Sequence, residues 1–467
     1  MLLTPALQEA RLRGAESFPV LRVDWLARGL DLGRGIYSPS MRHTDAGQVS
    51  AITKKGGWGD ISYGSGIDKA ELRAVETTVS VIDREDELLQ MLDTYDPRGS
   101  EASIDWAAPG LVVEDWFPLF RGVVADYGKD GPHTDLYLKT DDTVLRRPVP
   151  AGTILRTEWG SADEGSIFGT YLHLVTGVHD SWQITARGMV RAPNIRYDEN
   201  LGYWYLASVG NLVDIRRIAY DGIQQGDAGW SVRRAVFGQN LMTIIVVAPG
   251  FQPSKGVVVS FDCEGPDEDG LATGATLTGA PDQLRAIINE YGFRTAPLAG
   301  WRGDSPLIHP ESWDAVSAYF ALHKIEAART IGGEQEPETL ADVIESFLKS
   351  YQTTRIQWNE LGQLEIGVLD PDDVEPESAE VLNISKHSKQ GVLPLSPGDR
   401  KEVYTHVRMA ITYASGEQKF LSAYEAHDVA ALPEKLVYPI ENVWSQGRLT
   451  QDTALNPAAP ADPEIPT

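Results

Sequence analysis

A single cysteine, Cys263, stands in 467 residues. One thiol leaves no intrachain disulfide framework and no cysteine-rich metal site. Flanked by Val-Val-Val-Ser-Phe-Asp, it reads as a small buried hydrophobe in a strand. No apolar run approaches the roughly 20 residues that cross a bilayer as a helix. The apolar start at residues 1–7 runs into a charged, helix-favouring stretch at 8–13 with no hydrophobic region of a leader behind it, so synthesis and folding in a cytoplasm are expected. Basic residues are scarce: 41 Lys and Arg face 67 Asp and Glu, a net charge of −26. Such a chain repels nucleic acid and anionic membranes unless its cations are segregated. They are not, since Arg146-Arg147, Arg216-Arg217 and Arg233-Arg234 are isolated pairs that read as rim salt bridges. Gripping of DNA is disfavoured, whereas a conduit that DNA slides through remains compatible with an acidic wall.

Catalytic signatures are missing too. The chain has no Gly-x-Ser-x-Gly elbow, no His-Glu-x-x-His, no phosphate-binding loop and no complete dinucleotide fingerprint. The expectation is therefore a protein that is not an enzyme, with no catalytic, cofactor or metal residues. Weaker candidates each have a plainer reading. Gly56-Gly57-Trp58-Gly59 with Gly64-Ser65-Gly66 reads as a flexible loop around an exposed Trp. His173 and His179-Asp180 carry ligand chemistry, but their spacing matches no standard set and suits core or surface histidines. The stretch 262–270, Asp-Cys-Glu-Gly-Pro-Asp-Glu-Asp-Gly, offers hard oxygens for calcium. It breaks the EF-hand spacing and lacks the closing Glu, so a solvated acidic loop is favoured. Arg302-Gly303-Asp304 spells an adhesion triplet inside ordinary turn composition. Asp105-Trp106, Asp115-Trp116 and Glu158-Trp159 suggest sugar stacking beside acids, yet nothing in the sequence pairs two carboxylates across one bond.

What is present is aromatic and glycine-rich: 12 Trp and 44 Gly, spread as turns between short strands require. The fold class expected is multi-domain α+β, rich in β structure. Residues 1–150 read as a small β-barrel or sandwich with one helix. Strands fall at 20–25, 76–82, 111–114, 120–127 and 136–140. The helix spans 84–92 behind an Asp83 N-cap, and a turn lies at Gly128-Lys129-Asp130-Gly131. Residues 151–260 form an aromatic-rich β region with Trp159, Trp182, Trp204 and Trp230, and strands at 242–248 and 256–261. Residues 261–376 become α/β. Helices are expected at 282–291, at 312–323 with Ser312 as N-cap, and at 338–351, before a hairpin around Asn359-Glu360-Leu361-Gly362. Residues 377–446 hold another β unit with a hairpin of 406–414 and 418–424, and 447–467 form an extended Pro/Ala-rich tail.

The order of these segments carries a likeness. A helix-like opening leads into Pro19-Val20-Leu21-Arg22-Val23-Asp24, then Leu119-Phe120-Arg121-Gly122-Val123-Val124, then a strand ending in repeated acids at 135–142. Later, Pro281-Asp282-x-Leu-x-x-Ile-Ile precedes a helix and the hairpin Trp358-Asn359-Glu360-Leu361-Gly362-Gln363-Leu364-Glu365-Ile366. In organisation the chain resembles phage tail baseplate hub and tail-tip structural proteins over about three quarters of its length. The resemblance implies two tube-like β domains, residues 18–150 and about 381–446, flanking the other two regions. It implies a homotrimer ring of pseudo-sixfold symmetry within a virion tail. That ring would meet the tail tube or a distal-tail protein on one side and a tip, spike or fibre protein on the other, with DNA passing through unbound. Two alternatives stay open: a carbohydrate-binding or carbohydrate-active tail component, and a sixfold distal-tail adaptor ring.

Overall fold

The computed structural model describes residues 4–27, 29–39, 49–61, 72, 74–154, 170–180, 190–198, 200, 202–237, 240–254, 257–267, 272–292, 305–333, 336–351, 353–368, 406–414, 419–427 and 436–441. The chain divides into two units. The first comprises residues 1–146, 304–309 and 356–366, and the second takes the remainder. The architecture is β-rich with few helices and several sheets, as expected.

The first unit opens with α1 (Pro5–Leu12), started by Thr4, whose hydroxyl accepts from the Leu7 amide ahead of Pro5. Seven strands follow: β1 (Phe18–Ala27), β2 (Leu30–Ser38), β3 (Ala51–Trp58), β4 (Glu76–Ile82), β5 (Glu101–Ala107), β6 (Phe117–Asp130) and β7 (His133–Lys139), with α2 (Glu87–Tyr95) between β4 and β5. They close into a barrel in the order β1-β2-β3-β4-β7-β6-β5. Alternation sorts the faces: Leu21, Val23 and Trp25 of β1 and Val79 and Val81 of β4 are buried, as are Phe120, Leu136 and Leu138. Side chains therefore fill the barrel, as in other small closed sheets. Gly35 has a specific reason to be glycine: an added Cβ would fall 2.6 Å from the Trp25 indole nitrogen, which donates to the Tyr37 hydroxyl across it.

Several local expectations need correcting. Residues 111–114 form no strand. Val113–Asp115 is a 3-10 turn, because Leu111 and Val113 fold back onto the cluster of Val20, Ile36 and Trp116 while the Trp116 indole donates to the Leu111 carbonyl. β6 runs on through residues 128–130, and the turn falls at Gly131-Pro132, where Gly131 has φ +60°. Helix α2 begins three residues after the expected start. Its N-cap position is Asp86 and not Asp83, although the Asp83 carboxylate accepts from the amides of Leu88 and Leu89 and from the Thr134 hydroxyl.

The second unit carries β8 (His173–His179), β9 (Val190–Arg191), β10 (Asn194–Asp198), β11 (Gly202–Val209), β12 (Asp214–Tyr220), β13 (Ile223–Gln224), β14 (Trp230–Phe237), β15 (Asn240–Val247) and β16 (Val259–Glu264). Helices α3 (Ala280–Tyr291), α4 (Pro310–Leu322) and α5 (Leu340–Ser350) follow, with β17 (Ala328–Gly332) before α5. One sheet runs β10-β11-β15-β14, and another runs β13-β12-β16-β8-β17 with β9 also on β16. Strands β11 and β15 are buried on both faces. One face packs with Ile215, Ile218, Phe261 and Cys263 of the other sheet, and the opposite face packs with Ile154 and Leu172. Double burial explains why this aromatic stretch shows no alternation in sequence. The boundary read at residue 260/261 falls inside β16.

Helix α3 presents the expected stripe of Leu284, Ile287 and Ile288. Helix α4 starts at Pro310, suited to a first turn, so Ser312 lies within the helix and does not cap it. Helix α5 has the most complete start, with Thr339 and Asp342 forming a reciprocal capping box. Phe320, Phe347 and Tyr351 pack with ring centroids 5.1–6.4 Å apart. The hairpin expected around residues 359–362 is present as β18 (Thr354–Trp358) and β19 (Leu364–Val368), with Asn359 Oδ1 accepting from the amides of Leu361 and Gln363. In the region expected to hold a second tube-like domain, three strands are described: β20 (His406–Ala414), β21 (Lys419–His427) and β22 (Leu436–Glu441), in the order β21-β20-β22. The acidic linker at 370–377 and the tail at 447–467 lie outside the described residues.

Candidate functional site

His173, His179, Asp180, Asp262, Glu264 and Asp267 are each engaged inside the fold. His173 and His179 sit at opposite ends of β8, six residues or roughly 20 Å apart along an extended strand, too far to share one ion. Both are buried. A ring nitrogen of His173 lies 2.8 Å from the Ala207 carbonyl, and one of His179 lies 3.0 Å from the Thr176 carbonyl. Burial pushes both imidazoles down to about 4, so they are neutral at pH 7. Asp180 pairs with Arg216 at 2.9 Å.

The acidic stretch at 262–270 is spent on structure as far as it is described. Asp262, 1 % exposed, pairs with Arg217, and Glu264 pairs with Arg216. The Asp267 carboxylate accepts from the amides of Ala272, Thr273 and Gly274 at 2.7–3.0 Å. These carboxylates face three different partners and converge on no common point. Residues 268–270 lie outside the described residues. Among the described residues no group of three or more His, Cys, Asp or Glu side chains could hold a metal ion. Cys263 is fully buried in β16, where burial pushes its thiol well up.

Gly56, Gly57 and Trp58 belong to β3, correcting the expected loop. An added Cβ on Gly57 would fall 2.9 Å from the Ser80 side chain, and the half-buried Trp58 donates to Thr53. Gly64-Ser65-Gly66, Glu158-Trp159, Trp182 and Arg302-Gly303-Asp304 lie outside the described residues. The two acid–tryptophan pairs that are described form no sugar subsite. Asp105, 1 % exposed, is clamped by Arg22 at 2.6 Å and Arg121 at 2.5 Å, and Arg22 also lies over the Trp116 ring. The Asp115 carbonyl accepts from Thr4.

Three constructions escape a reading of the sequence. Two are ion clusters assembled from distant segments: Arg22–Asp105–Arg121, and Arg329 of β17 held by Glu338 and the Ser346 hydroxyl. Arg329 is 4 % exposed, and burial pulls its guanidinium down from the usual arginine range. The third is Trp204, 3 % exposed, with the guanidinium of Arg196 at 4.9 Å and that of Arg233 at 5.0 Å from its ring centroid. The arginines are visible one by one. No local signal ties them to the partners they meet in the fold.

No family model matches the sequence, and no curated protein matches it. Among solved structures, a chain described as "Virion of native gene transfer agent (GTA) particle" aligns at 14 % identity with a TM-score of 0.32. That alignment covers 62 % of this chain and 70 % of the other. A TM-score this low falls short of a shared fold.

Proposed function

We propose that this chain is a structural subunit of a phage-type tail, part of the baseplate hub or tail tip, acting by assembly and not by turnover. What carries the reading is the position of the motif behind the resemblance. Leu119-Phe120-Arg121-Gly122-Val123-Val124 lies in β6 of the closed barrel. At Gly122 an added Cβ would overlap the Lys139 carbonyl and fall 2.6 Å from the Phe120 ring. Arg121 leaves the same strand on the outer face to clamp Asp105. The motif is thus the part of the sequence that admits the close approach of β6 and β7 in a filled barrel, which suits a module used as a building block.

In this reading the subunit forms a homotrimer ring between tail tube and tip, and DNA passes through the ring without specific contacts. The carbohydrate alternative finds less support. Trp204 is covered by two arginines, and the carboxylate of Asp105 is clamped by Arg22 and Arg121. Native mass and electron-microscopy symmetry of the purified chain test the proposal. Threefold rings are expected. Sixfold rings would move the chain to a distal-tail adaptor, and a stable monomer that cleaves oligosaccharides would sink the structural reading.

A further inference from the structure

We propose that the outer edge of β14 is a strand-addition site for an extended partner segment that alternates apolar and acidic side chains. Among the described residues strand β14 ends its sheet and pairs with β15 alone, in a continuous eight-residue register from Trp230↔Val247 to Phe237↔Asn240. An edge of this length is a template for another strand unless something blunts it. The usual protections are absent here. The strand has no proline and no lysine, its pairing with β15 has no bulge, and Ser231 through Arg234 and Val236 are exposed.

Its two arginines are the only charges on the strand: Arg234 is tied to the segment that leads into β12, and Arg233 is stacked on β11 of its own sheet. Arg234 donates to the carbonyls of Leu212 and Val213, at 2.8 and 3.2 Å. Arg233 lies over the Trp204 ring on the other face. Among the described residues no strand pairs with the outer backbone edge of β14.

The chemistry of the occupant follows from the two faces. On one face, Val232 is 39 % exposed and Val236 is 68 % exposed, with the charge of Arg234 withdrawn between them. Phe251, 54 % exposed, has its ring against Gly229, the residue before the strand. On the other face Arg233 presents a guanidinium that no carboxylate among the described residues reaches. An added strand therefore gains by placing apolar side chains beside Val232 and Val236 and a carboxylate beside Arg233. A second copy of β14 is a poor occupant. Antiparallel self-pairing across a twofold axis sets arginines of the two copies opposite or diagonal to one another, and like charges so placed repel. The inference stands on β14 and its neighbours and holds whatever particle the chain serves.

Two synthetic peptides test it on the full chain: acetyl-Thr-Val-Glu-Val-Glu-Val-Thr-amide and its counterpart with both Glu replaced by Lys. Amide exchange and tryptophan fluorescence are read together. The expected result is binding of the acidic peptide with protection of residues 230–237, and little binding of the basic one. Arg233→Glu should weaken the acidic peptide about fivefold and improve the basic one. Val236→Lys, at an exposed position where folding is insensitive, should weaken both. Equal binding of the two peptides, or protection confined to other strands, would overturn the proposal. So would protection of β14 that rises with protein concentration in the absence of peptide, which would assign the edge to a second copy.

Discussion

Gly122 and Asp105 show how single positions are fixed by partners far off in sequence. At Gly122 a methyl group would meet the Lys139 backbone, which cannot move without breaking the β6–β7 ladder. Gly122→Ala should cost about 2 kcal/mol or more by urea denaturation, with Gly128→Ala as the control, since an added Cβ there meets its nearest neighbour at 3.6 Å. Asp105 is the shared anion of two partly exposed guanidinium groups. Asp105→Asn keeps the volume and removes the charge. It should cost about 2–3 kcal/mol, read as a lower denaturation midpoint with an unchanged slope. If the midpoint stays within error of the parent, Arg22 and Arg121 are satisfied by solvent and the clamp is energetically idle.

At the scale of elements, helix α5 tests whether capping or the buried stripe holds it. Its apolar face, Leu340, Val343, Ile344, Phe347 and Leu348, is wholly buried, and its start is closed by the Thr339–Asp342 box. Thr339→Ala removes one half of the box and should cost about 1 kcal/mol, while circular dichroism keeps its helical signal because burial holds the rest of the helix. A collapse of helicity on that substitution would mean the cap nucleates the element. The helices are the most legible elements in sequence, because a 3.6-residue stripe is a local signal; the starts of α2 to α5 differ from the expected ones by two or three residues. Strands β2, β3 and β5 are not legible in the same way. β2 and β3 carry glycine at Gly33, Gly35, Gly56 and Gly57, which in a linear reading looks like loop, and β5 interrupts its alternation with the buried Asp105.

For the whole molecule, the buried histidines tie stability to pH. His173 and His179 have folded values of about 4 against an ordinary 6.5. Between those values the unfolded chain binds more protons than the folded one, so stability is complete above about 6.5 and declines as pH falls toward 4. Each pH unit that separates the folded from the unfolded value is worth about 1.4 kcal/mol once both have been passed. Urea midpoints at pH 7.5, 6 and 5 should fall in that order, and His179→Gln should flatten the slope between 6.5 and 5. A flat profile in the parent would show that the imidazoles find water in the folded state.

The sequence by itself determined what depends on composition and short-range pattern. A β-rich multi-domain class, amphipathic helices, the 359–362 hairpin and a buried role for Cys263 all follow from it. Burial and capping are local demands, and they leave local marks. Tertiary structure decided which strands meet and which charges pair. Arg22 finds Asp105, and Arg329 finds Glu338 and Ser346, only when their strands and helix are packed. It also decided that, among the described residues, β14 ends its sheet, with Arg234 tied to the segment before β12 and Arg233 stacked on β11. An edge is defined by the neighbour a strand lacks, and no run of residues records that.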